Sequence, residues 1–77
     1  HPDGRVVVED RARATWHLIP AHAIDWIETA GSAQVRVHCG EETYLWRRSL
    51  SGVEQELAPR GFLRVHRSYV VNTARIS

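Results

Sequence analysis

Apolar and polar residues alternate most cleanly over Gln34–Cys39, where Val35, Val37 and Cys39 interleave with Gln34, Arg36 and His38. A period of two sends the two sets to opposite faces of a strand, so this segment predicts a half-buried strand with a polar, partly basic outer face. The β-branched run Val6-Val7-Val8 predicts a first strand, and the polar Glu9–Ala14 a hairpin connection after it. Thr15–Ile19 follows as a second strand, closed by Pro20, which has no N–H to give to a ladder. Ile24-Asp25-Trp26-Ile27-Glu28 predicts a third, with Ile24 and Trp26 on one face. Ala30-Gly31-Ser32-Ala33 and Gly40-Glu41-Glu42-Thr43 have turn composition, and Tyr44–Arg48 returns as the partner of Gln34–Cys39. Phe62–Arg67 predicts a further strand, with Leu63 and Val65 facing opposite to Arg64 and His66. Tyr69-Val70-Val71 has no clear period and leaves Ser68–Asn72 open between a continued strand and a helical turn.

One segment follows another period. Leu50, Val53 and Leu57 recur at i, i+3 and i+7, the spacing of one helix face. Ser49 can cap that helix, Ser51-x-x-Glu54 also has the form of a capping box, and Pro59 with Gly61 ends it. Gly52 costs up to ~1 kcal/mol against Ala, so the helix depends on packing. The fold class predicted is therefore mostly β, in small antiparallel sheets, with one short α-helix at about Ser49–Ala58.

Composition narrows the function classes. A chain of 77 residues makes a single domain over 1–77 with one thin core. Its 43% hydrophobic and 25% charged residues are those of a folded chain, not a disordered one. No apolar run approaches the ~18–20 residues of a membrane span, and His1–Asp10 lacks the pattern of a signal peptide, so a cytoplasmic protein without a membrane partner is expected. A start at His-Pro instead of Met is expected of a segment cut from a longer protein, with a regulatory domain N-terminal to His1. Cys39 is the one cysteine, which excludes an internal disulfide and predicts a small apolar residue on a strand face.

Charge is unevenly placed. His1–Pro59 carries six Arg against all nine acids, a balance of −3, whereas Arg60–Ser77 carries four Arg and no acid, a balance of +4. None of the five histidines has metal-ligand spacing such as HExxH, no cysteine pair exists, and neither a phosphate loop nor a nucleophile elbow is present. No enzyme, cofactor or metal is expected. The basic run of Arg64, His66 and Arg67, with Ser68, Tyr69 and Asn72, instead supplies donors for phosphate. Arg67 and Asn72 also have the forked geometries that match guanine and adenine edges. On charge alone, the solvated face of a sheet accounts equally well for Arg47, Arg48 and Arg64.

Four blocks in order, Ile24–Glu28 (IDWIE), the strand ending Val37-His38, Arg48-Ser49-Leu50 with its helix, and Gly61–Asn72 (GFLRVHRSYVVN), resemble the LytTR-type DNA-binding domains, the output domains of many bacterial response regulators. The resemblance covers about Ala14 to Ser77. It implies an elongated, mostly β fold whose loops, not a recognition helix, enter successive major grooves of a direct-repeat site. Double-stranded DNA would be the partner and transcriptional control in a two-component system the role. By position, Ser32 and Gln34 fall in one DNA-contacting loop and Arg67 in a second contact. Arg47 and Arg48 would be backbone contacts, and Leu50, Val53, Leu57, Phe62, Val65 and Tyr69 would be core. In the family, further strands follow the position of Ile76, so C-terminal strands are expected to be missing here. An exposed strand edge would then favour a homodimer, on DNA or by edge pairing. The alternative function is a protein–protein or dimerisation β-module that uses the basic face or that edge.

Overall fold

The computed structural model describes residues 5–31 and 33–75. Each alternating segment becomes a strand: β1 (Arg5–Asp10), β2 (Thr15–Pro20), β3 (Trp26–Thr29), β4 (Val35–Cys39), β5 (Glu42–Trp46), β6 (Phe62–His66) and β7 (Tyr69–Asn72). The open segment Ser68–Asn72 is thus resolved as a returning strand. One α-helix, α1 (Leu50–Leu57), sits between β5 and β6. Among the described residues the strands form one antiparallel sheet in the order β2-β1-β5-β4-β3-β7-β6.

The sheet has two parts. The β1–β2 hairpin is paired through six residues, from Arg5↔Pro20 to Asp10↔Thr15, but its join to β5 is the single pair Glu9↔Leu45. The other five strands pair along most of their length. Both parts bury residues in one cluster, Val6, Val8 and Ile19 from the hairpin meeting Ile27, Val37, Val53 and Val70 from the rest. That shared core draws the molecule in to 30 × 26 × 25 Å, closer to equal dimensions than the elongated outline implied by the resemblance.

The helix forms where its apolar spacing predicts. Leu50, Val53 and Leu57 are buried, each contributing about 1.5–3 kcal/mol on burial. Ser49 is the cap, its Oγ accepting the Gly52 N–H at 3.2 Å, so the Ser51 alternative is not used. A Cβ at Gly52 would come 3.2 Å from Arg48 Nη2 and 3.3 Å from Ser49 Oγ, so glycine lets the cap and the arginine close over the first turn. After a 3-10 turn at Ala58–Arg60, Gly61 takes φ 88°, a left-handed conformation that lets the chain turn into β6.

Three face assignments are corrected. Ile24 does not share a face with Trp26: it precedes the strand, just after a 3-10 turn at Ala21–Ala23, and is fully buried with Ile27, while Trp26 lies on the outer face. Leu63 and Val65 are 56% and 55% exposed, because it is Phe62 and Arg64 that face α1. Tyr69, assigned to the core, is exposed on the outer face beside Trp26, their rings edge-on at 5.8 Å. Finally β5 stops at Trp46, so Arg47 and Arg48 stand in the connection to α1.

Candidate nucleic-acid interface

Three segments far apart in the chain meet at one end of the sheet. β3 ends and β7 begins there, with Glu28 opposite Tyr69 and the Thr29 N–H donating to the Ser68 carbonyl at 3.1 Å. Val35, the first residue of β4, is opposite Trp46, the last of β5. Ala30 and Gln34 therefore lie between residues 47–49 on one side and the two-residue turn Arg67-Ser68 on the other, along the same end of the sheet.

The loop at 30–34 closes on itself. The Ala30 N–H donates to the Gln34 carbonyl, and Gln34 Nε2 donates back to the Ala30 carbonyl, both at 3.0 Å. The Gln34 amide thus shapes the loop and is half-buried. Ser32, the other predicted donor, lies outside the described residues.

The turn is held by side chains. β6 is bulged at Val65, so Arg64 pairs with Val70 but His66 with Tyr69. Arg64 donates from Nη2 to the Arg67 carbonyl at 2.6 Å and from Nε to the His66 carbonyl at 3.4 Å. Its Nη1 reaches across to α1, 3.3 Å from Glu54 Oε1 and 3.4 Å from Ser51 Oγ. His66 Nδ1 accepts the Ser68 N–H at 3.1 Å, with the ring tilted against Tyr69 at 5.1 Å. Arg67 stands out from this framework. Its side chain is exposed, and among the described residues nothing neutralises or hydrogen-bonds it. The other arginines at this end are engaged. Arg47 donates to Glu9 at 3.0 Å; Arg48 pairs with Glu56, donates to the Gly52 carbonyl at 3.3 Å and lies 5.4 Å over the Trp46 ring.

The family model for the LytTr DNA-binding domain matches residues 14–77. The chain belongs to the LytTR family of DNA-binding domains. A solved structure, the LytTr DNA-binding domain of a methyl-accepting/DNA response regulator from Bacillus cereus, is 27% identical with a TM-score of 0.82. The match covers 96% of this chain and 65% of that one, so this chain spans about two thirds of its length. No curated protein matches it.

The remaining predicted residue of the LytTR domain, Asn72, is corrected from a base reader to a structural residue. It is 2% exposed, at the opposite end of β7. Its Nδ2 donates to the Ile24 carbonyl at 2.8 Å and its Oδ1 accepts the Ala74 N–H at 3.1 Å, so both halves of the amide are held inside the protein. At that same far end Asp25 accepts the Gly40 N–H at 2.7 Å and Arg75 Nε at 2.6 Å. The Arg75 guanidinium, helped by the Gly40 N–H, holds the Asp25 carboxyl below the usual carboxylate range. Burial pushes the Cys39 thiol up to about 11, which keeps it protonated at neutral pH and unreactive.

The histidines of the LytTR domain lie apart or serve the sheet. His38 Nε2 is 2.7 Å from Glu28 Oε2, and the His38 ring stacks on Trp26 at 4.0 Å. Among the described residues no three His, Cys, Asp or Glu side chains gather in a group able to hold a metal. Tyr69 is the neighbour of the turn that the resemblance had placed in the core. The signal was local: it precedes Val70, and a strand that buries Val70 turns Tyr69 outward.

Proposed function

We propose that this LytTR domain binds double-stranded DNA sequence-specifically, as the output module of a bacterial transcription regulator in the cytoplasm. Arg67 reads base edges, with the 30–34 loop beside it. Arg47 and Arg48 exchange their surface carboxylate partners for phosphate. Such exposed ion pairs are worth only ~0–1 kcal/mol, so the exchange is cheap. The observation that carries this reading is the Thr29–Ser68 hydrogen bond, which sets the 30–34 loop and the Arg67 turn side by side, with no partner neutralising Arg67 among the described residues.

That adjacency refines the geometry. Segments on neighbouring strands, about 4.8 Å apart, fit within one major groove about 12 Å wide. Each copy then addresses one groove with this end, and a direct-repeat site takes two copies. Binding of an Arg67→Ala variant to a direct-repeat duplex, measured by anisotropy across a salt series, is expected to be weaker by about 1–3 kcal/mol with the fold intact. Parent-like affinity in that variant would remove Arg67 from the interface.

A protein-interaction module is the second reading, favoured by the apolar residues on the two edge strands: Trp16, 64% exposed on β2, with Leu63 and Val65 on β6. Light scattering that shows a dimer, together with no duplex binding at low salt, would support it over the first.

A further inference from the structure

The structure assigns Arg64 as a positioning residue: its guanidinium sets the backbone of the Arg67-Ser68 turn for DNA without contacting the duplex itself. The inference deepens the proposed function and rests on its assignment of Arg67.

The turn needs an outside hold. Two-residue hairpin connections favour turns with positive φ, because only those match the twist of the flanking strands. Here the connection is Arg67-Ser68, and among the described residues Ala14 is the one non-glycine with positive φ. The mismatch is taken up by the bulge at Val65 and by side chains that bond the turn. Arg64 does most of this. Its 2.6 Å bond to the Arg67 carbonyl fixes the peptide plane after Arg67, and the bond to the His66 carbonyl fixes the plane before it. The orientation of the Arg67 side chain follows from those two planes. The same guanidinium is anchored on Glu54 and Ser51, so the turn is braced against α1 instead of hanging from its own strands.

Arg64 is also poorly placed to bind phosphate. Four acceptors on two elements already engage its three nitrogens, Glu54 balances its charge, and its side chain is 29% exposed. A lysine has the charge but not the planar fork that bridges two carbonyls and a carboxylate. Arg64→Lys therefore separates the two roles: a phosphate contact tolerates it, and a brace does not.

The test compares the parent, Arg64→Lys, Arg67→Ala and the double variant. Affinity for a direct-repeat duplex and for an unrelated duplex is measured over a salt series. Amide hydrogen exchange at Thr29 and Ser68 is measured in the DNA-free proteins. Arg64→Lys is expected to weaken specific binding by roughly tenfold, as a misplaced base-reading arginine would, while binding to the unrelated duplex holds. The double variant is expected to bind no worse than Arg67→Ala, and exchange at Ser68 to quicken in Arg64→Lys. Parent-like specific binding by Arg64→Lys, or a full additional loss in the Arg67→Ala background, overturns the inference. If Arg67→Ala alone binds like the parent, the proposed function loses its reader. Exchange then decides the brace by itself: quickened exchange upholds it and unchanged exchange overturns it. Should Arg64→Lys fail to fold, Glu54→Gln removes the charge of the anchor at a half-buried helix position, and unaltered specific binding there counts against the brace.

Discussion

At the end of the sheet that carries the Arg67-Ser68 turn, one cation collects acceptors; at the opposite end, one anion collects donors. Arg64 bonds the carbonyls of His66 and Arg67 and the carboxylate of Glu54. Asp25 takes the Gly40 N–H and the Arg75 guanidinium. The consequences differ. The Asp25 end absorbs its arginine, so Arg75 is neutralised where it stands. The Arg64 end is tied by an arginine that already has its own acid, which leaves Arg67 free to face outward. Both arginines come from the same acid-free run of the sequence, Arg60–Ser77. β7, four residues at about 3.4 Å each, separates them. Positive charge along a chain becomes positive charge on a surface only where topology withholds a partner.

The largest expected effect falls on the far end, at Asn72. Asn72→Ala leaves the buried Ile24 carbonyl without a donor, a loss of about 1–3 kcal/mol in unfolding free energy. Urea unfolding measures it, and the folded fraction should keep the base preference of the parent. A variant with parental stability but relaxed preference at one base pair would give Asn72 the role proposed for the Arg67 end and blur the distinction between the two.

A smaller effect concerns pH at the same end. The folded-state pKa of Asp25 lies below its ordinary value of 3.8. Its contribution is therefore present above the unfolded-state pKa, near 4, and is lost as pH falls through the lower folded value. Urea midpoints followed from pH 7 to pH 2 should fall less steeply below pH 4 in Asp25→Asn than in the parent. Parallel curves would mean that Asp25 does not tie this end.

Much of this arrangement was legible in the sequence, for reasons the structure makes plain. β4 could be read because its two faces meet different surroundings, Val35 and Val37 in the core and Arg36 in solvent. α1 could be read because cap, apolar spacing and terminator agree. The order of the blocks pointed to a DNA-binding family, and the family match confirms the family. β6 resisted. Its alternation is real, but the face turned inward carries Arg64, because Glu54 and Ser51 wait on α1, ten and thirteen residues away along the chain. No local pattern reveals such a partner, and hydrophobicity alone inverts the strand. Asn72 resisted for a related reason: an amide that could read adenine and an amide that satisfies a buried carbonyl are the same residue in a sequence. Which arginine is free depends on where every acid falls, so it too emerges only with the fold.

The smallest expected effect is the most direct check of the comparison between the ends. Arg75→Ala should leave both the affinity for a direct-repeat duplex and its salt dependence at the parental values, although it removes a full positive charge from the most basic segment of the chain. Removing an arginine that touches phosphate lowers the slope of log K against log salt by about 1. A positive charge that acts only through the overall field of the domain, at the end away from Arg67, is screened over about 8 Å at physiological ionic strength. Arg75 is bound to Asp25 and separated from Arg67 by the length of β7, so neither route gives it a measurable share. A slope reduced by about 1 in Arg75→Ala would place the far end on the DNA as well. The duplex would then lie along β7 instead of across its end, and Arg67 would be one contact among several.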